Sequence, residues 1–269
     1  MQAVDALWKE GRVSAGSAAF GVHSLPLEAL IFEEDELWLD GARVDASAAP
    51  PRAYALLNKP KNVTSTASDP RGGANLAPYL RAMPRGCFPV GRLDRETTGL
   101  LLFTNDGDLA TCVLRPDQHT TKTYWLWLDD ELSDDDPRLA QLVAGVPHCG
   151  ELLKARSASI VARSEGATEL ELTLTSGRKR QIRLMCHALD LHLVHLHRKR
   201  IGPLSDAGIA LGEWRPLEGT EVEALWNAVG GRTALRVRQV AALKRQAEAA
   251  RRAGAPLERL EKWLAGEPR

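Results

Sequence analysis

The hydrophobic pattern of this chain changes period several times. Leu100-Leu101-Leu102-Phe103 is an unbroken apolar run, the length of a strand buried on both faces. Asn105-Asp106-Gly107 closes it, and Gly99 before it reads as a turn signal. Tyr54 to Asn58 is a second short strand, stopped by Pro60. Lys122 to Leu128 is rich in aromatics and reads as a strand, with Tyr124 on the face opposite Trp125 and Trp127. Period-two alternation predicts further strands at Ser157 to Ala162, Glu169 to Thr175 and Leu191 to Ile201, the last stopped by Gly202-Pro203. Helices are predicted between them. Asp108 to Leu114 is ended by Pro116, and Leu139 to Val143 ends near Gly145. Gln181 to Leu189 places Ile182, Met185 and Leu189 on one side. A last amphipathic helix lies within Leu217 to Val229, and Pro78 to Arg85 is irregular or briefly helical.

From Tyr54 onward these elements form the main domain. Residues 1–48 read as a small separate unit, with a helix over Asp5 to Glu10 and a strand at Leu37 to Leu39 closed by Asp40-Gly41. Ala46 to Arg52, containing Pro50-Pro51, reads as a linker. After Gly230-Gly231 the tail, 231–269, is rich in Ala, Arg, Lys and Glu and predicts one or two surface helices, broken by Gly254 and Pro256.

Charge adds one qualification. Lys plus Arg equals Asp plus Glu at 35 each, so attraction to nucleic acid must come from local clusters. Arg178-Lys179-Arg180 with Arg183 is one, and Arg198-Lys199-Arg200, preceded by His192, His195 and His197, is another. The four cysteines are scattered, which argues against a disulfide framework or a zinc ribbon. No apolar run is long enough for a membrane helix, and Met1 to Glu10 lacks a signal-peptide core. The expectation is a cytoplasmic monomer. Two of the three clustered histidines share a strand face and the third does not, so a basic RNA-facing strand is a simpler account than a metal site.

The chemistry concentrates in Gly91-Arg92-Leu93-Asp94-Arg95-Glu96-Thr97-Thr98-Gly99-Leu100-Leu101-Leu102-Phe103-Thr104-Asn105-Asp106-Gly107. Asp94 sits between two arginines, in a loop feeding a core strand. An isolated Arg-Leu-Asp is most simply a turn aspartate. The whole stretch, however, resembles the catalytic motif of the pseudouridine synthases, in their RsuA-type branch. The strand end Asn58-Lys59-Pro60 also resembles the family. So do Lys122-Thr123-Tyr124, the run from Thr175 to Met185, Arg200-Ile201-Gly202-Pro203-Leu204 and Gly212-Glu213-Trp214-Arg215, in the family's order. Asp35 to Gly41, with Lys9 to Val13, resembles the second half of a small RNA-binding module often fused to this branch; its basic first half is missing. An N-terminal packing element fits that segment equally.

The resemblance covers roughly residues 53–230 and implies a mixed α/β fold, a largely antiparallel sheet flanked by helices. It implies isomerisation of uridine to pseudouridine in ribosomal RNA, an internal rearrangement that needs no cofactor and no metal. The rivals are a non-catalytic RNA-binding or ribosome-assembly factor, and the same chemistry on transfer RNA. The resemblance gives Asp94 the central role, as base or as nucleophile. Arg183 is implied as its cationic partner and Tyr124 as the base-stacking tyrosine. Arg92 fills the gap left by the extruded base or contacts phosphate. Lys122, Arg178, Arg180, Lys199 and Arg200 are candidate RNA contacts. Ile182 and Leu204 are candidates to line the base pocket.

Overall fold

A computed structural model of the chain describes residues 7, 10–17, 21–24, 36–45, 50–69, 72–115 and 120–232. The chain divides into two units at Pro51 and Arg52. In the first unit, β1 (Val13–Ser17), β2 (Gly21–Ser24), β3 (Glu36–Leu39) and β4 (Ala42–Val44) form an antiparallel sheet of order β2-β1-β3-β4. The expected strand at Leu37 to Leu39 is β3, and Asp40-Gly41 turns it into β4. Both turn residues have positive φ, 52° and 77°, as a tight hairpin requires. Arg12 chelates the Asp40 carboxylate at 2.7 and 2.6 Å, and that hydrogen bonding holds the carboxyl below its usual range. The β1–β2 hairpin has no counterpart in the sequence reading. The helix expected over Asp5 to Glu10 lies outside the described residues, apart from Leu7 and Glu10.

The second unit is built on one large sheet of order β11-β12-β8-β13-β7-β5-β15. Its strands are β5 (Tyr54–Lys59), β6 (Phe88–Pro89), β7 (Thr98–Thr104), β8 (Lys122–Leu128), β11 (Ser157–Ser164), β12 (Ala167–Leu174), β13 (Leu193–Ile201), β14 (Leu204–Ser205) and β15 (Trp214–Pro216). β6 adds to β7 and β14 to β13. Every pairing is antiparallel except β7 with β13, which pair in parallel at Thr98↔His197 and Gly99↔Arg198. A separate hairpin joins β9 (Val146–His148) to β10 (Glu151–Leu153). The helices are α1 (Ala77–Ala82), α2 (Gly107–Leu114), α3 (Pro137–Ala144), α4 (Gln181–Ala188) and α5 (Gly219–Ala228).

β7 is buried along its whole length, which explains its unbroken apolar run. Leu100 and Leu102 pack with Leu109 and Val113 of α2 and with Val222, Leu225 and Trp226 of α5. Leu101 and Phe103 join Leu57, Val63, Leu76 and Met83. A third cluster joins Tyr124, Leu126 and Leu128 of β8 and Leu170, Leu172 and Leu174 of β12 to Leu142 of α3 and to Ile182, Met185 and Cys186 of α4. Asp106 caps α2 by accepting from Leu109 N–H at 3.3 Å, and it also accepts from the Tyr54 hydroxyl at 2.8 Å.

Two sequence expectations need correction. Gly99 is not a turn before the strand; it lies inside β7 with φ +106°. An added Cβ there would lie 2.4 Å from Arg198 O and 2.5 Å from Arg198 N, so glycine is what lets the two backbones meet. The alternation from Leu191 to Ile201 is also not uniform, because the register of β13 against β8 shifts at Val194 and again at Lys199. The tail beyond Arg232 lies outside the described residues. Among the described residues no helix is long and apolar enough to cross a membrane.

Candidate active site

The loop carrying Asp94 is pinned from several directions. Leu93 N–H donates to Ser65 Oγ at 3.1 Å, and the same hydroxyl donates to Leu93 O at 2.7 Å. Asn62 N–H donates to Arg95 O at 2.8 Å, and Thr97 N–H donates back to Asp94 O at 3.0 Å. Lys59 lies beneath, fully buried. Its Nζ donates to Pro60 O and Val63 O, each at 2.9 Å, and lies 3.5 Å from Arg95 O. Burial, then the charge of Arg198, pushes its ammonium down to about 8, opposed by Asp94. The carboxylate is thus held on a rigid support while its side chain keeps 32% exposure.

Two guanidinium groups face it. Arg183 on α4 places Nε 3.9 Å from Asp94 Oδ2, and its Nη2 donates to Thr97 Oγ1 at 3.4 Å. Arg180 places Nη1 4.0 Å from the same oxygen. These are ion-pair distances, longer than hydrogen bonds, and the buried Arg183 Nε has no hydrogen-bond partner among the described residues. Arg180 caps α4 in a left-handed conformation, φ 56°, unusual for a residue with a side chain. Buried Gln181 organises this turn. Its Oε1 accepts from Ser176 Oγ at 2.8 Å and Arg178 N–H at 3.3 Å, while Nε2 donates to Lys154 O at 3.1 Å.

Tyr124 is buried at 8% exposure in one cluster with Leu93 and Ile182, so Asp94's neighbour, the tyrosine and the helix of Arg183 meet. It faces away from Trp125 and Trp127, as alternation predicts; those two sit half-buried. Leu204 is buried in a different cluster, with Val90, Leu100 and Ile201.

The expected RNA contacts divide. Arg92, Arg178, Arg180 and Arg200 are exposed. Arg178, however, pairs with Glu151. Lys199 lies 3.2 Å from Asp206 Oδ1 and 4.4 Å above the Trp125 ring. Lys122 is half-buried, with Nζ donating to Thr120 O at 3.4 Å, and burial pushes its ammonium down to about 8. Arg198, read from sequence as part of an RNA-facing cluster, is instead buried at 3% exposure. The histidines do not converge. His192 lies outside β13 and pairs with Asp130 at 3.1 Å, which raises its pKa. His195 and His197 place ring nitrogens 3.0 and 2.8 Å from Thr98 Oγ1, and His197 Nε2 meets Asp206 Oδ2 at 2.7 Å. Lys59, Ser65, Gln181 and Arg198 escaped the sequence reading as site residues. Lys59, within Asn58-Lys59-Pro60, Gln181, within the run from Thr175 to Met185, and Arg198, within the basic cluster, each left a signal there, whereas Ser65 left none.

Comparison with known proteins identifies the family. Residues 53–188 match the family described as RNA pseudouridylate synthase. The chain is 32% identical over 195 residues or more to the dual-specificity RNA pseudouridine synthase RluF of Salmonella typhi (197 residues), covering 73% of this chain and 65% of that protein. It is 34% identical to the ribosomal small subunit pseudouridine synthase A of Escherichia coli strain K12, over 64% of this chain and 73% of that one. A crystal structure of a pseudouridylate synthase superposes with TM-score 0.58 at 26% identity, covering 83% of this chain and 93% of the other. The chain thus spans about two thirds of the length of the RluF proteins it matches. On the family match and these relatives together, the chain belongs to the RNA pseudouridylate synthase family.

Proposed function

We propose that this protein isomerises uridine to pseudouridine in RNA, that its substrate is ribosomal RNA, and that Asp94 is the catalytic carboxylate. The observation that carries the reading is Asp94 on its pinned loop, with Arg183 and Arg180 at 3.9 and 4.0 Å and with Tyr124 in the cluster beside it. The names of the two relatives support RNA as substrate, and that of the Escherichia coli relative supports the ribosomal kind.

The reaction breaks the bond between ribose C1′ and uracil N1, turns the base and rejoins it through C5. The proton lost from C5 is balanced by one gained at N1, so no cofactor is consumed. Asp94 acts as base on the ribose or as nucleophile toward sugar or base. Arg183, 3.9 Å from Asp94 Oδ2, supplies the opposite charge beside the carboxylate once the extruded nucleotide has displaced water. The Tyr124 ring stacks on the uracil, a contact worth about 1–3 kcal/mol. In this reading Arg92, exposed and two residues before Asp94, contacts the RNA.

The test is Asp94→Asn, which keeps shape and removes charge. Pseudouridine formation in a cognate ribosomal RNA fragment should be lost while thermal unfolding and RNA affinity stay near wild type. Turnover by the variant above background would sink the assignment. Pseudouridine mapping in ribosomal RNA from cells lacking the protein identifies the target; unchanged maps would refute that substrate.

A further inference from the structure

One lateral row of the large sheet runs from Tyr124 on β8 to Arg198 on β13, Gly99 on β7 and Lys59 on β5, each in register with the next. Residues directly opposite across neighbouring strands share a face. Lys122, two residues before Tyr124 on β8, shares it too. This row therefore sets three cations, Lys59, Lys122 and Arg198, on the tyrosine's side of the sheet.

The three differ in how their donors are used. Lys59 is saturated by backbone carbonyls and serves as a clamp under the Asp94 loop. Arg198 is 3% exposed. Its Nε donates to Leu100 O at 2.7 Å, but its buried Nη2 has no hydrogen-bond partner among the described residues. Among the described residues Lys122 makes a single long hydrogen bond, to Thr120 O. Neither Arg198 nor Lys122 pairs with a carboxylate among the described residues. They also repel each other: after burial, Arg198 is the cause that lowers the Lys122 ammonium. A buried cation without a counter-ion is costly, and a free buried donor calls for an explanation. An acceptor that arrives with the substrate supplies one.

We propose that Arg198, together with Lys122, stabilises the negative charge that develops on the uracil ring during the reaction, with Arg198 Nη2 donating to a ring carbonyl oxygen. This rests on the pseudouridine-forming activity proposed above. When the C1′–N1 bond breaks, its electron pair goes to the base, and the charge spreads over N1 and the two carbonyl oxygens. That charge is discharged when C5 bonds to C1′, C5 releases its proton and N1 takes one up. Pre-organised donors aimed at such developing charge act most strongly where water is excluded. A base, rather than a phosphodiester, fits the depth: Arg198 and Tyr124 are both more than nine-tenths buried, and only an extruded base reaches the stacking tyrosine.

The test compares wild type, Arg198→Gln and Lys122→Met on a cognate RNA fragment carrying uridine or 5-fluorouridine at the target. Affinity and the single-turnover loss of the N-linked nucleoside are measured for each. Fluorine withdraws electrons and steadies the base anion without protein help. Removing one such donor lowers rates by about 10²–10³ elsewhere. Arg198→Gln should therefore slow uridine by about 100-fold and Lys122→Met by about tenfold, with affinity within about threefold of wild type. Both defects should shrink several-fold on 5-fluorouridine. Equal defects on the two bases, or lost affinity at an unchanged rate, would overturn the proposal. Lys122→Met removes a charge whose burial is unfavourable, so it remains informative if Arg198→Gln fails to fold. Wild-type rates in Lys122→Met would also overturn it. No pseudouridine with wild type would sink the proposed function itself, whereas normal wild-type turnover with unaffected variants would sink the anion site alone.

Discussion

Gly99→Ala is the substitution whose cost follows most directly from the structure. Gly99 has φ +106°, a conformation that side chains rarely adopt, and an added Cβ would meet Arg198 O, N and C at 2.4, 2.5 and 2.9 Å. All three are backbone atoms of a paired strand, so no rotamer change relieves them. Backbone strain of this kind costs about 1–2 kcal/mol, and overpacking a dense site about 1–3 kcal/mol. Together they predict a loss of about 2–5 kcal/mol, against a usual total stability of about 5–15 kcal/mol. With a urea slope of about 2–3 kcal/mol per molar, the midpoint should fall by about 1–2 M. The assay is equilibrium urea unfolding followed by far-ultraviolet circular dichroism. Gly107→Ala is the control, because an added Cβ there meets nothing within 4 Å; it should leave the midpoint unchanged or slightly raised. Since Gly99 fixes where Arg198 crosses β7, the Ala variant should also lose turnover at temperatures where it remains folded. A Gly99→Ala midpoint equal to that of Gly107→Ala would refute the close strand approach, and with it the row that brings Arg198 beside Tyr124.

Other predictions follow from the site. Arg183→Met should slow turnover far more than Arg183→Lys, because only lysine leaves a cation facing Asp94; equal, near-normal rates in single-turnover assays would dismiss the pair. Lys122 binds fewer protons folded than unfolded between about pH 8 and its ordinary 10.5, so it contributes stability that rises with pH across that window. Urea midpoints at a series of pH values should therefore climb less steeply in Lys122→Met, and unchanged profiles would contradict its burial. In salt titrations of RNA binding, Arg92→Gln with Arg200→Gln should lower the slope by about 0.7 per lost contact on single strands. Lys199→Gln should lower it less, because Asp206 already engages that ammonium; a larger effect at Lys199 would show that the pair opens on binding.

The local pattern specified most of the elements. An unbroken apolar run made β7, strict alternation made β12, and spacing put Ile182 and Met185 on the buried face of α4, because side-chain direction within an element follows from backbone geometry alone. The Asp94 stretch and its companion motifs pointed to the chemistry only through their resemblance to a known family. Short edge pieces such as β9, β10 and β15 left little pattern, since three residues carry almost no period.

What the tertiary structure alone decided is which distant residues share a row. Lys59, Gly99, Tyr124 and Arg198 come from four strands, and their alignment depends on register, which no single strand encodes. The shifts at Val194 and Lys199 then change which way β13 residues point. Arg198, Lys199 and Arg200 therefore look alike as a basic cluster in sequence, yet one is buried beside Tyr124, one is paired to Asp206 and one is exposed. Charge identity is written in the chain; whether a charge meets water, a carboxylate or a buried pocket is set by the strands that close around it.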